Sequence, residues 1–194
     1  MARKDKYEFK PDKKQNTFFK KLYMTRLQRL QILKWSLLAA ACVFMLVIQD
    51  TIMSRVHIGG ATTDLAVAMM LLIGLYEGPE NGSFFALIAS VVYLFSGSAP
   101  GPYCIGLITT LVLGINLLRQ NLWRRSFHST LFCTGMAIML YEMGVFALGL
   151  INGLTILPRL GVFFLTGVFT CAAMVPMYPL VRFLSKIGGD TWKE

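Results

Sequence analysis

Few side chains in this sequence have the chemistry for catalysis or ion binding, and most of them lie at the edges of apolar segments. The candidates are Asp50, Asp64, Glu142, His57 and His128, with Arg55 and Arg159 nearby. Catalysis needs several such groups at defined spacings, and the sequence has no serine–histidine–aspartate set, HExxH zinc motif or phosphate-binding loop. We therefore predict a non-enzymatic protein that uses no cofactor and no metal ion.

Glu142 is the acidic residue that lies deepest in an apolar run, where an ionisable group is costly unless it faces the protein interior. Tyr93, in an earlier run, lies at a similar depth when the rise per residue is counted along each helix. Three interpretations stay open: a static hydrogen bond from Tyr93 to Glu142, a contact with a ligand or partner protein, and proton or ion translocation. Translocation normally needs a second carboxylate at that depth, and we expect none there.

The composition indicates which kind of protein must position these groups. Of 194 residues, 55% are hydrophobic and 15% are charged, whereas soluble domains have about 45–50% apolar and about 25% charged residues. Six apolar runs approach the length of about 17–25 residues that a transmembrane helix needs. They cover residues 35–53, 64–76, 83–95, 103–118, 129–151 and 160–183. We predict an all-α integral membrane protein with six transmembrane helices, of which the second and third are short.

The distribution of charge predicts the orientation of these helices. The sequence has 19 lysine and arginine residues against 10 aspartate and glutamate residues, a formal charge of +9, and 11 of the basic residues precede the first apolar run. If all six runs cross, 17 basic residues lie on the side that holds both termini and 2 lie on the other side. Cytoplasmic segments are enriched in lysine and arginine, so we predict that both termini are cytoplasmic. This bias accounts for the positive charge without nucleic-acid binding.

The same pattern divides the chain into four regions. We predict a disordered basic tail over residues 1–16, a basic amphipathic interfacial helix over 17–34, a six-helix transmembrane domain over 35–188 and a cytoplasmic tail over 189–194. The basic residues of the interfacial helix that we expect at the lipid surface are Lys20, Lys21, Arg26 and Arg29. Anionic lipid is the expected contact of this helix, and docking of a cytoplasmic partner is the alternative.

Prolines and cysteines inside the runs have structural interpretations. Pro176 and Pro179 predict a kink near the end of the sixth run. The four cysteines are Cys42, Cys104, Cys133 and Cys171. Because they are widely spaced and lie in or beside apolar runs, we expect buried thiols rather than a zinc site or disulfides.

Several short motifs resemble, in order, those of one membrane-protein family. Residues 75–83, Leu-Tyr-Glu-Gly-Pro-Glu-Asn-Gly-Ser, resemble the glycine-proline-acidic turn of the rod shape-determining MreD family, and Thr63-Asp64-Leu65 resembles that family's motif at the start of the second helix. Residues 94–101 and 175–182 resemble the end of its third helix and its proline-rich last helix. Two departures are Thr63, where the family often has proline, and Tyr93, where it often has aspartate.

The resemblance carries an expectation for function. It implies a non-enzymatic scaffold of the bacterial cell-elongation complex in the cytoplasmic membrane, which binds MreC and couples peptidoglycan synthesis by RodA and its penicillin-binding partner to MreB filaments. The family is similar in fold to substrate-capture subunits of energy-coupling-factor vitamin transporters, and such a subunit is the alternative function. The partner-contacting or structural residues that we expect, together with Tyr93 and Glu142, are Asp64, Gly78, Pro79, Glu80, Gly82, Ser96, Gly97, Gly101, Pro176, Pro179 and Arg182.

Overall fold

A computed structural model describes residues 26–55, 59–122 and 127–187 as a bundle of helices. The six α-helices are α1 (Arg26–Thr51), α2 (Leu65–Glu77), α3 (Pro79–Phe95), α4 (Tyr103–Leu122), α5 (Phe127–Ile151) and α6 (Leu160–Lys186). Two short 3-10 helices, Met53–Arg55 and Leu157–Arg159, follow α1 and precede α6. The six helices predicted from the apolar runs are confirmed, with boundaries that differ by a few residues except at the starts of α1 and α3.

Four of the six helices are long and apolar enough to cross a membrane, namely α1, α4, α5 and α6. The other two, α2 and α3, are shorter apolar helices. By length and composition, these four helices can therefore cross a membrane.

The short helix α2 occupies the centre of the bundle. It contacts all five other helices, and every one of its residues except Tyr76 is buried. A helix that is apolar all round is stable only when it is surrounded by other apolar groups. Here the five other helices supply that apolar surround, so α2 is stable at the centre of the bundle although it has only 13 residues.

A tight turn joins α2 to α3. Gly78 has φ 98° and Pro79 is the first residue of α3, so glycine supplies the left-handed backbone and proline starts the next helix. The two helices then touch through glycine, because a Cβ on Gly82 would collide with the carbonyl group of Gly74. The predicted turn over residues 77–82 is thus shorter than expected: it is confined to Gly78, since proline permits helix from its own position onward.

The first helix extends further toward the N-terminus than the predicted first span. It begins at Arg26 and continues through residues 34 and 35 without a break, so the last part of the predicted interfacial segment is one helix with the span. The first half of the predicted interfacial helix, which includes Lys20 and Lys21, lies outside the described residues, and so do both predicted tails. Arg29, which is described, is exposed.

The last helix is continuous through its two internal prolines, Pro176 and Pro179, and both are exposed. The cysteines are free thiols, three of them buried and Cys171 partly buried. Large apolar side chains cover the outside of the bundle, for example Phe44, Phe84 and Phe164. Such a surface suits a lipid environment.

Candidate functional site

A cavity of about 910 Å³ opens at one end of the bundle, where α1, α3 and α5 end and α2, α4 and α6 begin. We call this end the Asp64 end and the opposite one the Glu77 end. Most of the residues that line it have polar side chains: Gln49, Asp50, Thr62, Thr63, Asp64, Tyr93, Ser96, Ser98, Tyr141, Glu142, Arg159 and Thr166. Such a concentration of polar groups is unusual in a bundle whose other interior residues are mostly apolar, and it makes this cavity the candidate site.

Asp64 is the best-anchored carboxylate in the cavity. It is the N-cap of α2, where Oδ1 accepts a hydrogen bond from the backbone N–H of Val67 at 3.5 Å. Its own N–H donates to Thr170 Oγ1 of α6 at 3.0 Å. In the first turn of α2, the backbone N–H of Ala66 donates to Gln49 Oε1 of α1 at 2.8 Å. Side chains from two other helices therefore accept hydrogen bonds from backbone N–H groups at the start of α2. Such N–H groups have no partner within their own helix.

Tyr93 joins α3 to this anchor. Its hydroxyl donates to Asp64 Oδ2 at 3.0 Å, and the Tyr93 side chain is buried. The hydrogen bond from Tyr93 to Glu142 that we considered from the sequence is therefore wrong, since the hydroxyl is used by Asp64. Counting residues along two helices predicts how deep each side chain lies. It does not predict which side chain of another helix that side chain meets.

Glu142 and its neighbour Tyr141 lie on α5 and line the same cavity. Glu142 is 4% exposed and Tyr141 is 1% exposed. Within the described part of the chain, the Tyr141 hydroxyl has no hydrogen-bond partner, and no hydrogen bond or ion pair is formed by the Glu142 carboxylate. Two further carboxylates, those of Asp50 and Asp64, line the cavity with Glu142.

The rim of the cavity is formed by loop residues that the sequence motifs singled out. Ser96 donates to the Tyr93 carbonyl at 2.7 Å, and Ser98 donates to Asp50 Oδ1 at the end of α1. Gly97 has φ 81°, which reverses the chain after α3. Gly101 leaves room for the Tyr103 ring, which a Cβ at this position would strike. These residues shape the opening rather than the interior.

A different polar cluster lies at the Glu77 end. Lys34 of α1 and Glu77 of α2 form an ion pair with Nζ and Oε2 2.5 Å apart, and Ser185 of α6 donates to Glu77 Oε1 at 2.6 Å. All three side chains are buried. We call this group the Lys34–Glu77–Ser185 network. A buried charge needs a partner to be tolerated, and here each charge has one.

The carbonyl groups at the C-terminal end of α2 are satisfied by α4. Asn116 Nδ2 donates to the Gly74 carbonyl at 3.0 Å. Arg119 donates through Nη1 to the Leu75 carbonyl at 2.9 Å and through Nη2 to Thr130 Oγ1 at 2.8 Å. The last turn of a helix leaves carbonyls without intrahelical donors, and cations are favourable there. These contacts fix α2 against α4 and α5.

The remaining predicted site residues are distributed over the molecule. Gly78 forms the turn between α2 and α3, Pro79 and Gly82 lie in the first turn of α3, and Glu80 beside them is exposed. Pro176, Pro179 and Arg182 are exposed on α6. The side chain of Arg26 lies outside what the structure describes. Sequence reasoning missed Lys34, Glu77, Asn116, Ser185 and Tyr141 as buried polar residues; the one signal was a charged side chain directly beside an apolar run at Lys34 and Glu77.

Over the described ranges 26–55, 59–122 and 127–187, no group of three or more histidine, cysteine, aspartate or glutamate side chains is placed to hold a metal ion. The site can instead offer hydrogen-bond acceptors and negative charge to an organic group. Comparisons with protein-family models, curated proteins and solved structures found no match to this chain.

Proposed function

We propose that this protein is a non-enzymatic membrane scaffold of the bacterial cell-elongation complex, similar to MreD proteins. In this proposal it binds MreC in the cytoplasmic membrane and couples RodA and its penicillin-binding partner to MreB. Support comes from the MreD-like motifs and from the roles that two of them have in the bundle. The glycine-proline motif allows α2 and α3 to pack closely. The aspartate at the start of α2 caps that helix.

One observation carries the partner-binding part of the proposal. On α4, Gly106 and Thr110 are exposed and Gly114 is partly exposed, at successive spacings of four residues. A Cβ at Gly106 or Gly114 would meet nothing within 4 Å, so these glycines do not serve packing inside the chain. The Thr110 hydroxyl donates a hydrogen bond to the Gly106 carbonyl at 2.6 Å. Small residues spaced by four on an exposed helix face are typical of contacts between membrane helices.

The partner that fits this face is a single transmembrane helix, and MreC is expected to have one. Close approach of two helix backbones needs small side chains, whereas lipid makes no such demand. We name the face formed by Gly106, Thr110 and Gly114 the α4 small-residue face. In the proposal, the MreC helix packs there.

The proposed orientation places the Glu77 end in the cytoplasm and the Asp64 end outside. The basic bias of the sequence supports it, and the exposed cations Arg29, Arg182 and Lys186 lie toward the Glu77 end. Cysteine labelling in a cysteine-free background tests this. Asn152→Cys should react with an impermeant reagent applied outside the cell and Asn81→Cys should not. Labelling of Asn81→Cys from outside would reject the proposed topology.

Co-purification tests the partner. The tagged chain should capture MreC from native membranes, and Gly106→Leu with Gly114→Leu should abolish the capture because leucine keeps the helices apart. Gly161→Leu is the matched control, since Gly161 is also exposed and has open space around its Cβ position but lies on α6. Depletion of the protein should also make the cells round. Failure of the wild-type chain to capture MreC would reject the scaffold proposal.

The polar cavity favours a second candidate function, a substrate-capture subunit of a vitamin transporter. A cavity of about 910 Å³ lies within the range of about 300–1,000 Å³ for small-molecule sites. A stable complex with a nucleotide-binding transport module in place of MreC would establish this alternative.

A further inference from the structure

We propose that the cavity at the Asp64 end binds a small organic cation, with an ammonium group at Glu142 and Tyr141 and an apolar body against the cavity wall. This inference does not depend on the scaffold function. It concerns only ligand binding by the purified chain, and it holds both for a molecule that is transported and for one that stays bound.

The first observation is the state of the Glu142 carboxylate. The side chain is 4% exposed and lines the cavity, yet no described residue gives it a hydrogen bond. The other two carboxylates of the cavity are engaged, Asp64 by Tyr93 and Val67 and Asp50 by Ser98. A carboxylate that lines a cavity and is held by no described donor can receive a charge-assisted hydrogen bond from a ligand.

The second observation is independent of the acidic residues. Tyr141 is 1% exposed, it lines the same cavity, and its hydroxyl has no partner among the described residues. Buried tyrosine hydroxyls usually find a hydrogen-bond partner. Both Tyr141 and Glu142 line this cavity, so a ligand bound there can be contacted by both side chains.

Charge and wall chemistry define the class of ligand. The lining holds three carboxylates against the single guanidinium of Arg159, so the cavity attracts cations. The wall also contains Met53, Val145, Val162 and Phe163, which suit an apolar body. A bare metal ion is disfavoured because the described residues form no metal-binding group. An ammonium group with an apolar substituent meets both requirements.

The test uses the full chain purified in detergent and three probes of one shape: phenethylamine, 2-phenylethanol and phenylacetate. They share the ring and two-carbon arm and differ in the terminal group, which is cationic, neutral or anionic. Binding is measured by the shift in unfolding temperature and by titration calorimetry. We expect phenethylamine to bind at millimolar concentration, and about tenfold more tightly than 2-phenylethanol, as a charge-assisted hydrogen bond implies.

Variants assign the site. Glu142→Gln should weaken phenethylamine binding about tenfold and remove its preference over the alcohol, and Tyr141→Phe should weaken it less. Glu80→Gln, the same change at an exposed glutamate at the other end of the bundle, should leave binding unchanged. If Glu142→Gln does not fold, the preference of the wild-type chain for phenethylamine over 2-phenylethanol still tests the proposal.

Three outcomes would overturn the proposal. They are no binding of phenethylamine, equal binding of all three probes, and binding that Glu142→Gln and Glu80→Gln affect equally. The last two would indicate partition into detergent. MreC capture by the Glu142→Gln chain is measured in parallel and should be retained, so that failure of the ligand site and failure of the scaffold function are told apart.

Discussion

The two ends of the central helix α2 differ in how completely their buried polar groups are partnered. At the Glu77 end, Lys34, Glu77 and Ser185 are partnered with one another, and Asn116 caps the Gly74 carbonyl. At the Asp64 end, polar side chains surround an open cavity, and Tyr141 is without a partner among the described residues.

This difference distinguishes polar residues that stabilise the bundle from polar residues that are available to a ligand. A closed network with matched partners stabilises the bundle and offers nothing to a ligand. A cavity whose buried groups lack partners carries a cost that the rest of the fold must offset, which is typical of binding sites. Contacts at both ends hold the helices together, but the cavity lies at the Asp64 end, which is where we place the ligand.

The largest effect is expected from breaking the ion pair. Lys34→Met leaves the buried Glu77 carboxylate without its cation, and removing one partner of a buried pair costs about 3–5 kcal/mol. Unfolding of the purified chain by denaturant in detergent should show the loss. The double variant Lys34→Met with Glu77→Leu should recover most of it, because no uncompensated charge remains. A single variant as stable as the wild type would show that the network does not hold α1 to α2.

A smaller effect is expected from the contact between α2 and α3. Gly82→Ala inserts a Cβ into the Gly74 backbone, and the helices must move apart at a cost of about 1–3 kcal/mol. The same unfolding measurement applies. Gly161→Ala is the control, since its Cβ position is open and an exposed change of this kind stays within about 0.5 kcal/mol. Equal stability of the two variants would contradict the close packing of this turn.

The sequence predicted the helices well because apolar runs are local patterns. The second run was predicted to be short, and α2 has 13 residues, but its place at the centre of the bundle was not predicted. The Glu142 position was predicted to face inward, and it does. Residues 75–83 predicted a turn with glycine and proline, and Gly78 and Pro79 supply it.

The partners of the polar residues could not be predicted in the same way. Lys34 and Glu77 are 43 residues apart, and each resembled a charge at the end of a span. Tyr93 and Glu142 shared a depth, yet Asp64 receives the hydroxyl. Such pairings depend on the rotation of each helix about its axis, which packing of the whole bundle decides.

The most direct test of the contrast between the ends is one chemical change made at each of them. Glu77→Gln and Glu142→Gln both remove a negative charge from a buried side chain of unchanged size, 2% and 4% exposed. Unfolding in detergent, without added ligand, should show a loss of about 2–3 kcal/mol for Glu77→Gln, whose carboxylate is held by a cation and a hydroxyl. Glu142→Gln should cause no loss, because it removes a buried charge that no described residue pairs. Equal losses, or a larger loss for Glu142→Gln, would contradict the assignment of a structural network to one end and a ligand site to the other.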